Sequence, residues 1–530
     1  MKLKLTAMAV AAALSAGTAA VAQATPDSFP APAADRTTWF NAGADKVTSN
    51  DLIVNSKAPA KNVILFVGDG MGISTITAAR ILAGQQPNLI GSNPTATASS
   101  GEENSLSFEL FPNLALSKTY SANQQTPDSA PTMTAMVTGV KTLDGVLALD
   151  QDVTRGNCAT DTTVHKLQTI LEIAEAAGKS TGLVSTARIT HATPAANYSH
   201  TPERNWEADT DQPVGCAIPD VARQLIEFNT GNGIDVVMGG GRKYFRPNTL
   251  KDPEYTSKTG YRKDGRDLTS EWTSKYGASS SFIYAKSQFD AIDTKNTKHL
   301  LALFEPSHMQ YEADRPNDTA GEPSLADMTQ KSIEMLSNNK TKGFYLHVEG
   351  GRIDHAHHAG NAYRALTDAM AFSDAVQRAV DTLKAKNLLN NTLIIVTADH
   401  SHVFTIGGYP QRGNNILGKV IDPGAATYTK ATDGAPYTTL SYANGLGYHV
   451  GVQGDDVYST PVQVGRFTDM TAVDTTDKGF HQEALVPLVG GETHAGEDVA
   501  IYARGPGAGL IRGSLEQNVI FHVMNKKMTK

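Results

Sequence analysis

Four stretches of this chain share one construction: a continuous apolar run that stops abruptly at a carboxylate or an imidazole. Asn62-Val63-Ile64-Leu65-Phe66-Val67 leads into Gly68-Asp69-Gly70, and Thr181 to Thr186 leads towards His191 and Thr193. Phe344 to Glu349 ends on its own acid, and Thr392-Leu393-Ile394-Ile395-Val396-Thr397 delivers Asp399-His400. A strand that is apolar on both sides belongs in a sheet covered on both faces, as in parallel α/β proteins. In such sheets the carboxyl ends of the strands open onto a shared crevice. The expected fold is therefore α/β, a central, mostly parallel sheet flanked by helices, with function at one end of the strands. Helical patterns at Ile73 to Leu82, about 164 to 177, Ala217 to Phe228, Ala362 to Lys384 and from about Ser514 supply the flanking layers.

The remaining stretches set the domain plan. Lys2 and Lys4 precede an Ala-rich run from Leu5 to about Ala22 that ends in small-x-small triplets, so residues 1–24 read as a signal peptide cut after Ala22 or Ala24. No cysteine stands at the cut to carry a lipid, and no later run reaches the roughly 18 apolar residues of a membrane span. The expected product is secreted, without a membrane anchor, and its expected compartment is the periplasm. Residues 25–60 read as an N-terminal arm and 61–530 as one catalytic domain. Residues 85–108 and 243–325 are polar and mixed, and about 403–491, rich in Gly, Thr, Tyr and Pro, is expected to be an irregular or β-rich insertion. The formal net charge of −8 gives no reason to expect a nucleic-acid partner. In an oxidising compartment Cys158 and Cys216 are expected to form a disulfide, with two free buried thiols as the alternative. Any metal site must then be built from histidines and carboxylates.

The densest polar segment is His347-Val348-Glu349-Gly350-Gly351-Arg352-Ile353-Asp354-His355-Ala356-His357-His358. Asp354 and His358, at i and i+4 of a helix start, can share an ion such as zinc. Asp69, His191, Thr193, Asp399 and His400 follow other strands, and His494 lies in a loop. The turn after Val67 has neither the dinucleotide nor the P-loop spacing. Ser129, in Thr126-Pro127-Asp128-Ser129-Ala130-Pro131, stands at a helix N-terminus where free N–H groups and the helix dipole attract phosphate; a simple capping role is the alternative. No GxSxG elbow is present, which argues against an esterase. Arg204 is a candidate phosphate clamp.

The runs FVGDGMG, TPDSAPT, THATPAA, HVEGGRIDHAHH, VTADHSH and ETHAGED keep this order from near Asn62 almost to the C-terminus. Together they resemble the alkaline phosphatases, and His191 and His355 resemble the animal branch. The resemblance implies hydrolysis of small phosphate monoesters through a phosphoserine on Ser129, with Arg204 holding the phosphate, broad specificity and an alkaline optimum. It implies two Zn²⁺, one on Asp354, His358 and His494 and the other on Asp69, Asp399 and His400, and one Mg²⁺ on Asp69, Thr193 and Glu349. By the same resemblance His191 and His355 approach the magnesium water and phosphate, and His402 orients a ligand carboxylate. His347 and His357 are expected to be structural or exposed. A calcium site from Glu254, Phe304, Glu305 and Glu322 is left open, the insertion is crown-like, and a homodimer is the default. The rivals are a phosphodiesterase, a sulfatase (though TPDSAPT lacks the CxPxR or SxPxR context) and an exported metal or phosphate binder.

Overall fold

The computed structural model describes residues 27–28, 56–91, 97–448, 466, 469–488 and 490–528. The signal peptide, most of the expected arm and part of the expected insertion lie outside the described residues. The strands are β1 (Asn62–Gly68), β2 (Asn113–Lys118), β3 (Ser180–Arg188), β4 (Val236–Gly240), β5 (Ser280–Ile283), β6 (His299–Leu303), β7 (Phe344–Gly350) and β8 (Thr392–Ala398). They continue with β9 (Ser401–His402), β10 (Phe404–Ile406), β11 (Leu440–Gly445), β12 (Ala484–Pro487), β13 (His494–Ala495), β14 (Val499–Arg504) and β15 (Gly513–Glu516).

Ten strands form the central sheet in the order β15-β2-β14-β8-β1-β7-β3-β4-β6-β5. Strand β1 pairs in parallel with β7 and β8, and β7 with β3. Among the described strands of this sheet, β14 runs antiparallel to its two neighbours, β8 and β2. The apolar runs explain the architecture, since β1, β7 and β8 are buried at every position. Alternation sends Ile64 and Phe66 into one core, with the helices Ile73–Gln85, Leu325–Leu336 and Ala362–Ala385, where Phe66 meets Phe372 edge to face at 5.9 Å. Val63, Leu65 and Val67 enter the opposite core with Met133, Met136 and Val137 of the helix Ser129–Thr138.

Several elements depart from the expectations. The polar stretch 243–325 contains β5 and β6, which finish one edge of the sheet, and β2 lies outside every strand expected from the sequence. Strands β2 and β5 are short and half-exposed, so they lack the apolar run that marks the centre. The final helical pattern from Ser514 divides into β15 and the helix Val519–Lys527. The pattern at 164–177 likewise breaks into Thr162–His165 and Ile170–Ala176, because Thr169 caps the second helix from its Oγ and Glu172 returns to the Thr169 N–H. Within the insertion β10, β11 and β12 form a three-stranded sheet, and separately Asn414 pairs with Ser28 of the arm as an isolated β-bridge. Cys158 and Cys216 are disulfide-bonded, with their Cα atoms 5.3 Å apart.

Candidate active site

The central strands deliver their polar ends together because their register is level: Val67 lies opposite both Glu349 and Thr397, and Gly68 opposite Ala398. Asp69 and Asp399 therefore emerge side by side just past the sheet, with Glu349 one strand away. Gly70, at φ +66, turns the chain so that its N–H donates to Asp399 Oδ1 at 3.0 Å. Asp69, Glu349, Asp399 and His400 are fully buried.

The helix Ser129–Thr138 starts against this group. Asp128 caps it, accepting from the Ala130 N–H at 3.1 Å, so Ser129 is the first helical residue and its hydroxyl is free to face the acids. Ser129 Oγ lies 3.4 Å from Asp69 Oδ1 and 3.3 Å from His400 Nε2. His400 Nε2 is also 3.4 Å from Asp69 Oδ1 and 3.3 Å from Asp399 Oδ2. On the other flank, Thr193 Oγ1 donates to Asp69 Oδ2 at 3.3 Å, and Asp69, His191 and Glu349 are close enough to share an ion.

A second group stands beside the first. His358 and His494 bring their Nε2 atoms to within 3.0 Å of each other, and these lie 3.4 and 3.2 Å from Asp354 Oδ1. The Nδ1 of His358 faces the Glu492 carbonyl at 2.6 Å, and that of His494 faces the Pro127 carbonyl at 2.8 Å. A carbonyl only accepts, so each Nδ1 carries the ring hydrogen of the neutral imidazole and each Nε2 presents a lone pair. Two neutral rings and a carboxylate oxygen turned towards one point need a cation or a proton among them: burial opposes charging His358, yet Asp354 outweighs it and raises that imidazole. Glu349 Oε1, buried and without a hydrogen-bond partner, makes the same demand on the other side. The donor set thus fits divalent cations: nitrogen and oxygen around Asp354, and mainly oxygen around Glu349.

The electrostatics agree. Burial, then the charges of Asp399, Asp354 and Glu349, push Asp69 well above the usual carboxylate range. Burial also raises Glu349 to about 8. Burial works to raise Asp354 too, but His358, His402 and His494 outweigh it and hold that carboxyl well below its ordinary value. His400 is driven well below its ordinary value by burial and by His494. Burial opposes charging His402, yet Glu492 and Asp354 on its two sides push it up to about 10.

Arg204 reaches the rim with its Nη2 2.8 Å from His191 Nε2 and its Nη1 3.4 Å from Asp128 Oδ2. The rings of His191 and His355 are 5.3 Å apart, and His308, which the sequence reading passed over, stands 4.0 Å from His355. His402 donates from Nε2 to Asp354 Oδ1 at 2.8 Å. His347 and His357 are both fully buried rather than exposed; His357 contacts Thr75 Oγ1 at 2.9 Å and the Tyr442 hydroxyl at 2.8 Å. Around the open calcium question, Arg242 donates to Glu254 Oε2 at 2.8 Å and to the Phe304 carbonyl at 3.0 Å, while Glu322 accepts from the Gln310 N–H at 3.0 Å. Asp318, rather than Glu322, joins Glu254 and Glu305 within ion-sharing distance. Glu492 also escaped the sequence reading, although it opens the run ETHAGED, because its partners come from distant parts of the chain.

Comparison with known proteins places this geometry. The sequence model described as alkaline phosphatase matches residues 60–529. The human tissue-nonspecific isozyme of alkaline phosphatase is 43% identical over 476 residues, covering 88% of this chain and 83% of that protein. Among solved structures, the alkaline phosphatase of Thermus thermophilus superposes with a TM-score of 0.61 at 22% identity, over 89% of this chain and 92% of that one. That of the Antarctic bacterium TAB5 superposes with a TM-score of 0.56 at 23% identity, over 89% and 98%, and a variant of it has Mg bound in its M3 site. The solved structures speak to the fold, and the sequence matches carry the descent: this chain belongs to the alkaline phosphatase family.

Proposed function

We infer that the two neighbouring groups form one catalytic centre for phosphate monoesters, the reaction that family membership carries. The observation that carries this assignment of residues is the position of Ser129 Oγ, a hydroxyl at a helix N-terminus facing Asp69 and His400 at 3.4 and 3.3 Å. Asp354, His358 and His494 would hold one Zn²⁺, Asp69, Asp399 and His400 a second, and Asp69, Thr193 and Glu349 a Mg²⁺. Cations bound there would stabilise the entering and leaving oxygens of an in-line displacement. Ser129 Oγ attacks phosphorus and gives up its proton, the P–O bond to the alcohol breaks, and the alcohol leaves protonated. Water then cleaves the phosphoserine, releasing phosphate and restoring the serine. Arg204, released from His191, would place its fork on two non-bridging oxygens, with the Ser129 N–H at the helix start as a further donor.

The catalytic unit is proposed to span 61–530 with the insertion at 403–491. The leader at 1–24 supports export, with the periplasm as the compartment, and no described helix is long and apolar enough to cross a membrane. Tyr409, Leu485 and Val486 of the insertion are exposed, which supports a homodimer contact there.

Ser129→Ala tests the assignment. Turnover of an aryl phosphate is expected to fall by about 10³-fold or more. Chelator is expected to abolish wild-type turnover, and zinc with magnesium to restore it. Near-normal turnover in Ser129→Ala would remove the phosphoserine route.

A further inference from the structure

Glu492 lies in the segment that leads out of the insertion, two residues before His494, and its carboxylate is completely buried. It touches neither Ser129 nor the Asp69 group, and nothing in the reaction above uses it. Yet every polar atom it has is engaged, its backbone directly with His358 and its carboxylate with His402 and Val403. Its N–H donates to the His358 carbonyl at 3.0 Å and its own carbonyl accepts from His358 Nδ1 at 2.6 Å, so backbone and ring of His358 are held as a pair. Its carboxylate accepts from His402 Nδ1 at 2.6 Å through Oε2 and from the Val403 N–H at 2.8 Å through Oε1. His402 in turn donates from Nε2 to Asp354 Oδ1 at 2.8 Å.

The result is a carboxylate–imidazole–carboxylate line, Glu492–His402–Asp354, alongside a direct tie from Glu492 to His358. Because one carboxylate faces each ring nitrogen of His402, both nitrogens must donate, and the imidazole cannot turn without losing one of them. Asp354 is therefore presented with one oxygen engaged and its orientation set. His358 is presented as the tautomer whose Nε2 lone pair points at His494. Both oxygens of the Glu492 carboxylate are already engaged, one by His402 and one by Val403, and the His402 ring that it holds donates from both nitrogens, so His402 has no lone pair for an ion although Glu492, His358 and His402 lie within ion-sharing distance.

We propose that Glu492 is a positioning residue for the cation held by Asp354, His358 and His494, and that through it the end of the insertion governs how firmly that cation is kept. The inference rests on the metal assignment made above. Groups of this kind behind metal ligands typically carry about 10- to 100-fold in metal affinity. Replacing the Glu492 side chain leaves its backbone tie to His358 in place but leaves His402 with one anchor, so Asp354 loses its aim while the Asp69, Asp399 and His400 group keeps its own contacts.

The test uses the full chain loaded with zinc and magnesium, then exposed to a graded zinc chelator, with zinc per chain measured beside activity. Glu492→Ala is expected to release one of its two zincs at roughly 100-fold lower chelator strength than the wild type, and Glu492→Gln at roughly 10-fold lower. Added zinc is expected to restore turnover in both, with KM for the aryl phosphate unchanged at saturating metal. Melting of the fully metal-stripped proteins separates a folding defect from a metal defect: Glu492→Gln is expected to match the wild type. If Glu492→Ala does not fold, Glu492→Gln is decisive. Wild-type-like zinc retention in Glu492→Gln and in a folded Glu492→Ala overturns the proposal. A wild type that takes up no zinc overturns the metal assignment instead, which keeps the two failures apart.

Discussion

Arg204 shows how a single side chain is held in reserve. Its fork is shared between His191 and Asp128, partners that hold the guanidinium at the rim without the full charge-assisted pairing a phosphate would offer. Lysine would keep the charge but not the planar pair of donors. Arg204→Lys is therefore expected to lower kcat/KM by about 100-fold and to weaken inhibition by inorganic phosphate in parallel. Steady-state kinetics with phosphate as competitor checks this, and equal kcat/KM in the two proteins would show that Arg204 is not the clamp. His308 packs against His355 with the ring planes tilted by 55°.

The turn between β1 and the helix Ile73–Gln85 does more than change direction. Gly70 sits at φ +66, and a Cβ there would fall 2.3 Å from His402 Nε2 and 2.4 Å from His402 Cδ2. The turn is therefore packed directly against the ring that orients Asp354. Alanine at this position carries about 1–2 kcal/mol for the left-handed backbone alone, and it must also push His402 aside. Gly70→Ala is expected to melt earlier than the wild type and to lose zinc to chelator more readily. Differential scanning with metal analysis would show both, and a variant with unchanged melting and unchanged zinc would contradict this packing. The element on the opposite side of the centre follows the same logic: Asp128 caps its helix so that Ser129, rather than a capping hydroxyl, meets the acids.

The molecule as a whole carries a pH liability far from its chemistry, at the amino ends of β3 and β4. Thr181 donates from Oγ1 to Glu175 Oε1 at 2.5 Å and from its N–H to Asp235 Oδ2 at 2.8 Å, bringing a buried and a half-buried acid together. Burial raises Glu175 to about 8 and Asp235 to about 7. In the unfolded chain both titrate near their ordinary values of 4.5 and 3.8. The native state thus holds protons that the unfolded state has given up. Stability from these groups is complete below those ordinary values and is lost as pH rises through about 7 to 8. Glu175→Gln removes one of the two charges. Its melting temperature is expected to exceed that of the wild type at about pH 9 and to match it at about pH 4. An equal shift at both pH values would mean the effect is packing rather than ionisation.

The central architecture was legible because β1, β7 and β8 are largely apolar, and a run apolar on both sides has few places to go but the middle of a covered sheet. Order and spacing likewise singled out Asp69, Ser129, Glu349, Asp354, Asp399 and His400 as candidates, since they follow apolar runs or stand at a helix start, with His358 one turn after Asp354 and His494 in a loop. The strands β2 and β5, in the outer parts of the sheet, were not legible, because half-exposed strands carry mixed residues and take their pairing from neighbours already in place. The character of the segment His347 to His358 also needed the fold. In sequence it is one cluster, whereas in space Glu349 faces Asp69 and His191, Asp354 and His358 face His494, and His347 and His357 are buried in the interior. Glu492 makes the same point most sharply. Nothing in its immediate surroundings distinguishes it from an ordinary surface acid, and its connection to His402 and His358 spans 90 and 134 residues of chain, a distance closed only when the sheet brings its strand ends together.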